Sequence, residues 1–137
     1  MAGNFKLEVV TPQKVVVDEE VQVAIAPGSL GEFGVLIGHT PFLSSLQVGT
    51  LRYRDAEGKE RLVFISGGFA EVLPNKMTVL AESAERQRDI DAERAKAALE
   101  RAQDRLAEKK ADLDVARAEV AIARAIQRLK IVEKQQF

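Results

Sequence analysis

The sequence divides sharply into two parts of different composition, and this division limits the folds open to the chain. All nine glycines and all four prolines lie before residue 75, together with six of the seven aromatic residues. From residue 84 onward there is no glycine or proline, and Ala, Arg, Lys, Glu, Asp and Leu predominate. Because glycine and proline form turns and interrupt helices, we expect a turn-rich first part and a helical second part.

The first part, residues 1–84, contains short apolar segments that we interpret as β-strands. Turn-forming pairs such as Gly67 with Gly68 and Pro74 with Asn75 separate them. The predicted strands are 5–10, 14–17, 21–26, 51–54, 61–65, 69–73 and 77–80. Many short strands divided by such turns are typical of a β-sandwich or barrel.

The second part, residues 85–137, carries two apolar stripes with helical spacing. The stripes are formed by Ala95, Leu99, Ala102 and Leu106, and by Val115, Ala118, Ile122, Ala125, Leu129 and Val132. A short break at 109–114 favours an antiparallel hairpin, with Asp89 or Asp91 capping the first helix and Asp112 or Asp114 the second. The predicted fold class is therefore α+β: a β-sandwich over 1–84, followed by a two-helix hairpin over 85–137.

The stripes are rich in alanine, which affects how firmly the helices attach. Ala, Arg, Glu and Lys favour helix formation. At ~25 cal/mol per Å² of buried apolar surface, however, an alanine contributes much less than a leucine. We therefore expect helices that stay helical but dock weakly, as a movable element does. A plain coiled-coil tail is the alternative interpretation.

Composition excludes several classes of function. A net charge of −1 argues against a nucleic-acid binder that relies on positive charge. The chain has no cysteine, so disulfides, thiolate metal sites and cysteine nucleophiles are absent. We expect no signal peptide, and no apolar run approaches the ~20 residues of a membrane span. Membrane association would then depend on partners.

Residues 28–43 hold four glycines, a proline and the only histidine, His39. Catalysis by His39 would need an acid and a nucleophile, for which Glu32 and Ser44 or Ser45 are available. No nucleophile elbow, metal-ligand spacing or phosphate-loop lysine accompanies them, which argues against an enzyme. The glycines either shape turns only or also let the backbone approach a partner, and we favour the second interpretation.

The segment 28–43 closely resembles the G-E-x-G-x-x-x-G-H-x-P-x-L signature of the epsilon subunit of F-type ATP synthases from bacteria and chloroplasts. Three more segments resemble that family in the same order. Segment 65–72 resembles its Ser-Gly-Gly strand pair, 79–86 its link into the helices, and 118–129 its last helix. The resemblance therefore covers nearly the whole chain.

The resemblance implies a non-catalytic central-stalk subunit of a proton-translocating ATP synthase. The sandwich would bind the gamma subunit and the c ring, with Glu32 facing the c ring and His39 near gamma. The hairpin would fold against the sandwich in one state and reach the alpha and beta subunits in another, where it hinders ATP hydrolysis. The implied location is peripheral, on the cytoplasmic face of the bacterial cell membrane, through the complex alone.

Three arginines of the second helix, Arg117, Arg124 and Arg128, share one helix face. This basic stripe either meets acidic segments of the catalytic subunits, as an inhibitory surface, or is a solvated face balanced by Glu119 and Glu133. From residue 85 onward there are 13 basic and 11 acidic residues, against 7 and 10 before it. This small excess of basic residues in the second part favours an interaction with acidic segments of the catalytic subunits.

Segment 90–95 resembles the I/L-D-x-x-R-A motif with which some bacterial epsilon subunits bind ATP. The resemblance implies an ATP-binding set of Glu85, Ile90, Asp91, Arg94, Ala95, Arg101, Arg124 and Arg128. The arginines would face the phosphates, whose geometry a guanidinium matches. ATP would be a regulatory ligand bound without hydrolysis, and no metal is required. Alternatively, Asp91 is only a first-turn acid that pairs with Arg94.

Two other classes of function compete with this interpretation. One is a free-standing adaptor with a sandwich head and a coiled-coil tail, which would not copurify with motor subunits. The other is a small nucleotide-dependent enzyme, against which the missing nucleophile–base pair and phosphate loop argue.

Overall fold

The computed structural model describes residues 3–108, 110 and 112–134, and these form seven strands followed by two helices. The strands are β1 (Phe5–Val10), β2 (Val15–Gly28), β3 (Gly31–Val35), β4 (Phe42–Leu46), β5 (Gly49–Asp55), β6 (Glu60–Leu73) and β7 (Lys76–Arg86). A 3-10 turn (Gln87–Asp89) then leads to α1 (Ala92–Glu108) and α2 (Val115–Glu133). The predicted α+β fold, a sandwich followed by two helices, is confirmed.

All seven strands belong to one hydrogen-bonded network. β2 pairs with β1 along its first half and with β3 and β5 along its second half. β6 pairs with β5 before the Gly67–Gly68 position and with β4 after it, while β7 accompanies it along most of its length. Alternate residues of these strands, such as Leu7, Val9, Val63 and Ile65, are fully buried in the core between the layers.

The turn predicted at Gly67 and Gly68 is wrong, because β6 runs through both residues without a break. Their φ angles are +67° and +115°, a region that glycine enters at little cost. The two glycines therefore depart locally from extended backbone geometry, while the pairing with β7 keeps one register, with Ser66 opposite Ser83 and Gly68 opposite Ala81. For this reason two predicted strands, 61–65 and 69–73, are one long strand.

Three further differences separate the predicted strands from the observed ones. Segments 14–17 and 21–26 are joined in β2, although charged residues lie between them. Two strands that the sequence did not indicate are β3, within the glycine-rich segment, and β4, which begins at the end of that segment. β7 continues to Arg86, two residues beyond the predicted domain boundary.

The two helices begin at aspartates and pack against each other. Asp91 Oδ1 accepts from the backbone N–H of Arg94 at 3.0 Å, and Asp114 Oδ1 accepts from that of Arg117 at 3.0 Å. Alanines of both predicted stripes, such as Ala102 and Ala125, are buried between the helices. The start of α1 lies beside the end of α2 and the end of α1 beside the start of α2, so the hairpin is antiparallel.

The second helix makes the main contact between the hairpin and the sandwich, since α2 packs on β5 and β6 whereas α1 packs mainly on α2. Ile131, which lies outside the predicted stripe, is buried at this contact, and Val132 is 37% exposed instead. The last turn of α2 therefore faces the sandwich rather than α1. Neither helix of the described residues is both long and apolar enough to cross a membrane.

Candidate functional site

A cavity of about 350 Å³ lies where the end of β7, the 3-10 turn and both helices meet. We call it the junction cavity. Its lining consists of Glu85, Asp89, Asp91, Arg94, Ala95, Ala98, Arg101 and Arg128. Six of the eight residues predicted to bind ATP are in this set. The structure therefore brings together side chains that are as much as 43 positions apart in the sequence.

The lining follows from the helical periodicity of α1. Arg94, Ala98 and Arg101 are spaced by four and three residues, so they project from one face of the helix. Ala95 and Ala98 carry only a methyl group, and they leave space that a larger side chain would fill. Asp91 stands at the start of the helix, where its carboxylate caps the first turn. Small side chains thus form the floor of the cavity, and charged side chains form its rim.

Arg128 is the contribution of α2 to the cavity, and two contacts hold it in place. Its Nε donates to Glu85 Oε1 at 2.6 Å, which is a short charge-assisted hydrogen bond. Its guanidinium carbon lies 4.3 Å from the ring centroid of Phe64, in cation–π contact. Arg128 therefore ties α2 to β7 and β6 at the wall of the cavity.

Two predicted ATP-binding residues lie outside the lining. Ile90 packs with Leu62, Phe64 and Ile131 in a separate apolar cluster. Arg124 points to the sandwich, where its Nε donates to Ser66 Oγ at 2.8 Å and its Nη2 lies 3.9 Å from Glu82 Oε2.

Two lining residues, Asp89 and Ala98, were not in the predicted set. The sequence indicated Asp89 only as a candidate cap of the first helix. Ala98 follows Arg94 by one helical turn, so helical spacing alone could have identified it. With Asp89 included, three carboxylates and three guanidinium groups face the cavity.

Of the residues predicted for partner contact, Glu32 is exposed and His39 is half-buried. Glu32 lies on β3, where its Oε1 is 3.3 Å from Arg52 Nη2, and the tip of its hairpin presents a fully exposed Leu30. His39 lies in the connection between β3 and β4, with Nδ1 at 2.6 Å from the Thr40 carbonyl oxygen. Arg117 is exposed at the start of α2, whereas the other two arginines of the predicted basic stripe contact the sandwich.

An apolar row crosses the outer face of the sandwich. Phe69 on β6 lies opposite Leu80 on β7, which in turn lies opposite Val10 on β1. Leu43 on β4 is the diagonal neighbour of Phe69. Leu43 is 70% exposed, and Phe69 and Leu80 are each 57% exposed. Contiguous exposed apolar side chains of this kind mark interaction surfaces.

Two family models together match nearly the whole chain. The model described as the β-sandwich domain of the ATP synthase delta/epsilon chain matches residues 4–87. The model described as the long α-helix domain of the same chain matches residues 88–133.

Individual relatives match most of the chain. The ATP synthase epsilon chain of Desulforapulum autotrophicum is 61% identical over 133 residues, 97% of this chain and 98% of that protein. That of Desulfatibacillum aliphaticivorans is 70% identical over 106 residues, 77% of this chain and 75% of that protein. A chain of the Euglena gracilis mitochondrial ATP synthase (OSCP/F1/c-ring, rotational state 1) matches with a TM-score of 0.72 at 27% identity, covering 93% of this chain and 79% of its own length. The chain therefore belongs to the ATP synthase delta/epsilon family.

Proposed function

We propose that the chain is a non-catalytic central-stalk subunit of a proton-translocating ATP synthase, in which the hairpin senses ATP and restrains ATP hydrolysis. The proposed ATP sensing rests on the junction cavity, whose lining includes six of the eight residues predicted to bind ATP. The proposed place in an ATP synthase rests on the family membership. In the described arrangement the hairpin is docked on the sandwich, and this is the state that a bound nucleotide would favour.

The chemistry of the cavity lining suits a nucleotide. Guanidinium groups of Arg94, Arg101 and Arg128 offer planar pairs of donors to phosphate oxygens. Carboxylates of Glu85 and Asp91 are acceptors for ribose hydroxyls and the adenine amine. Since these groups come from β7, α1 and α2, a ligand in contact with all of them bridges the hairpin and the sandwich. Binding only the docked state stabilises it by RT ln(1 + [ATP]/Kd).

The same lining is unsuited to hydrolysis. Lysine, serine and threonine are missing from the described side chains around the cavity, so it lacks the lysine and hydroxyl ligand with which phosphate loops hold a nucleotide and its magnesium. We therefore propose ATP as a regulatory ligand that is bound and released intact.

Calorimetric titration of ATP into the isolated protein tests this proposal. We expect saturable heat at millimolar ATP or below, and a weaker affinity by roughly tenfold in Arg101→Ala, which loses one charged hydrogen-bond donor. Arg105→Ala is the matched control, because Arg105 is exposed one helical turn further along α1 and does not line the cavity. A folded protein that gives no heat at millimolar ATP would contradict the proposed sensing.

The surface of the sandwich supports the proposed partners. The apolar row of Val10, Leu43, Phe69 and Leu80 is a suitable docking face for the gamma subunit, and His39 lies in the connection that leads into β4. The exposed hairpin tip at Leu30, followed by Glu32, is a separate projection that we assign to the c ring. Contact with these rotor parts would hold the protein at the cytoplasmic face of the bacterial cell membrane.

Phe69→Glu tests the docking face. The substitution places a charge in the centre of the apolar row, and we expect copurification with gamma and the catalytic subunits to fall at least about tenfold, since burying an unpaired carboxylate is costly. Val120→Glu adds the same charge to an exposed apolar position on α2 and should leave copurification unchanged. If Phe69→Glu copurifies like the parent protein, the gamma-facing surface lies elsewhere. If even the parent protein fails to copurify, the free-standing adaptor is the better interpretation.

We further propose that the hairpin, when released, reaches the alpha and beta subunits with Arg117, Arg124 and Arg128 as its basic stripe. In the docked arrangement Arg124 and Arg128 are engaged by Ser66, Glu82 and Glu85. Docking and inhibition therefore compete for the same two arginines, which supports a mutually exclusive switch.

A further inference from the structure

Gln87, in the turn between β7 and α1, contacts the far end of the hairpin. Its Nε2 lies 2.7 Å from the carbonyl oxygen of Ile131 and 2.6 Å from that of Lys134. Both carbonyls belong to the C-terminal end of α2. The polypeptide thus returns, after more than 40 residues, to the turn from which the hairpin started.

The chemistry of this contact is specific to a side-chain amide. The last carbonyls of a helix lack the usual partner four residues on, and they form the negative end of its dipole. The Ile131 carbonyl also accepts from the backbone N–H of Lys134 at 3.2 Å, so Gln87 supplies its second donor. An amide nitrogen has two hydrogens to donate, one for each carbonyl, whereas a carboxylate in its place would repel both. Only the amide nitrogen fits there, since the amide oxygen has nothing to donate.

The Gln87 contact adjoins the apolar cluster, because its partner Ile131 belongs to that cluster. Ile90, three residues further along the chain, packs with Leu62, Phe64 and Ile131, while Asp89, two residues further along, lines the junction cavity. Arg128 precedes Ile131 by three residues on α2, so the position of the last turn fixes the position of the Arg128 guanidinium. A shift at the end of α2 would therefore change the cavity wall.

We propose that Gln87 is a positioning residue that clasps the end of α2 to the sandwich and thereby holds the hairpin docked. The clasp acts without a ligand, through hydrogen bonds that do not involve the cavity lining. Its consequence for nucleotide binding rests on the proposed function, because the docked state is the one in which the cavity is complete.

Native-state thiol labelling tests the clasp, since the chain contains no cysteine of its own. Ser66→Cys puts a reporter thiol under α2, at a position that is 2% exposed beside Arg124. Ala70→Cys puts a second reporter in the sandwich core, where exposure is 0%. The first reports undocking of the hairpin together with unfolding, whereas the second reports unfolding of the sandwich alone.

Gln87→Met keeps the length of the side chain and removes both donors. Without nucleotide, we expect labelling at the Ser66→Cys reporter to accelerate about tenfold, the effect of losing two partly exposed hydrogen bonds. The rate at the Ala70→Cys reporter should stay constant. Gln87→Glu should accelerate labelling further. Gln103→Met, on the exposed face of α1, is the matched control and should change neither rate.

Two results would overturn the clasp. One is a Ser66→Cys labelling rate in Gln87→Met that stays within about twofold of the parent. The other is an equal acceleration at both reporters, which would make Gln87 a general stability residue. These measurements need no ATP, so an absent nucleotide site would leave them unchanged. Conversely, ATP that fails to slow labelling in any variant would count against the proposed sensing while leaving the clasp intact.

Discussion

Arg128→Ala should reduce the affinity for ATP by roughly tenfold to a hundredfold, the range expected for a charged hydrogen bond to phosphate. The same substitution removes the 2.6 Å bond to Glu85 and the contact with the Phe64 ring, so the hairpin should also undock more often. Calorimetry measures the affinity, and labelling of the Ser66→Cys reporter measures the undocking. One side chain affects both ATP affinity and docking because Arg128 lines the junction cavity and also holds α2 on the sandwich.

Lys130→Ala is the control for this loss of positive charge. Lys130 is exposed on α2, two residues beyond Arg128, and it does not line the junction cavity. We expect it to change neither ATP affinity nor labelling by more than about twofold, since exposed charges contribute little. An Arg128→Ala protein that binds ATP like the parent would exclude the junction cavity as the phosphate site.

Gly68→Ala should destabilise the sandwich by about 3 kcal/mol or more, which is at the severe end for a single methyl group. Gly68 has a φ of +115°, which an L-residue with a side chain rarely adopts. An added Cβ would also overlap the carbonyl oxygen of Leu80 on the neighbouring strand. Denaturant unfolding, followed at equilibrium, gives the change in the free energy of unfolding.

Gly34→Ala, on β3, provides the comparison for the Gly68 variant. An added Cβ there meets nothing within 4 Å, and its φ is not in the left-handed region. We expect a change of less than about 1 kcal/mol, since the methyl group points into open space. Equal losses in the two variants would mean that neither the positive φ of Gly68 nor its contact with Leu80 is the cause.

Much of the fold was predictable because composition and periodicity act locally. The loss of glycine and proline after Pro74 separated the two parts, and the steps between apolar residues identified both helices. The family resemblance is confirmed by matches along the whole chain. Gly67 and Gly68 were misinterpreted because glycine allows both a turn and an irregular position within a strand, and only the pairing with β7 decides between them. β3 and β4 escaped prediction because glycines and exposed residues hide their alternation.

The candidate site was predictable mainly through the family resemblance. The resemblance supplied Asp91, Arg94, Arg101, Glu85 and Arg128 alike, and helical spacing explains only why Arg94 and Arg101 share one face of α1. The orientation of α2 depends on tertiary packing, which the sequence does not reveal. In that orientation Arg124 contacts Ser66 and Ile90 packs in an apolar cluster, so neither lines the junction cavity. Gln87 carried no signal in the sequence, because its role depends on where another helix ends.

The pairing of the two 14-residue strands has a mechanical consequence. A part that turns with a stalk must transmit torque from one partner to another without internal slip. β2 and β6 each change neighbours midway, so shearing one half of the sandwich past the other would break hydrogen-bond ladders in both strands at once. In the proposed role the sandwich would therefore be a stiff coupling, and the hairpin, attached through one turn and one helix, would be the compliant part.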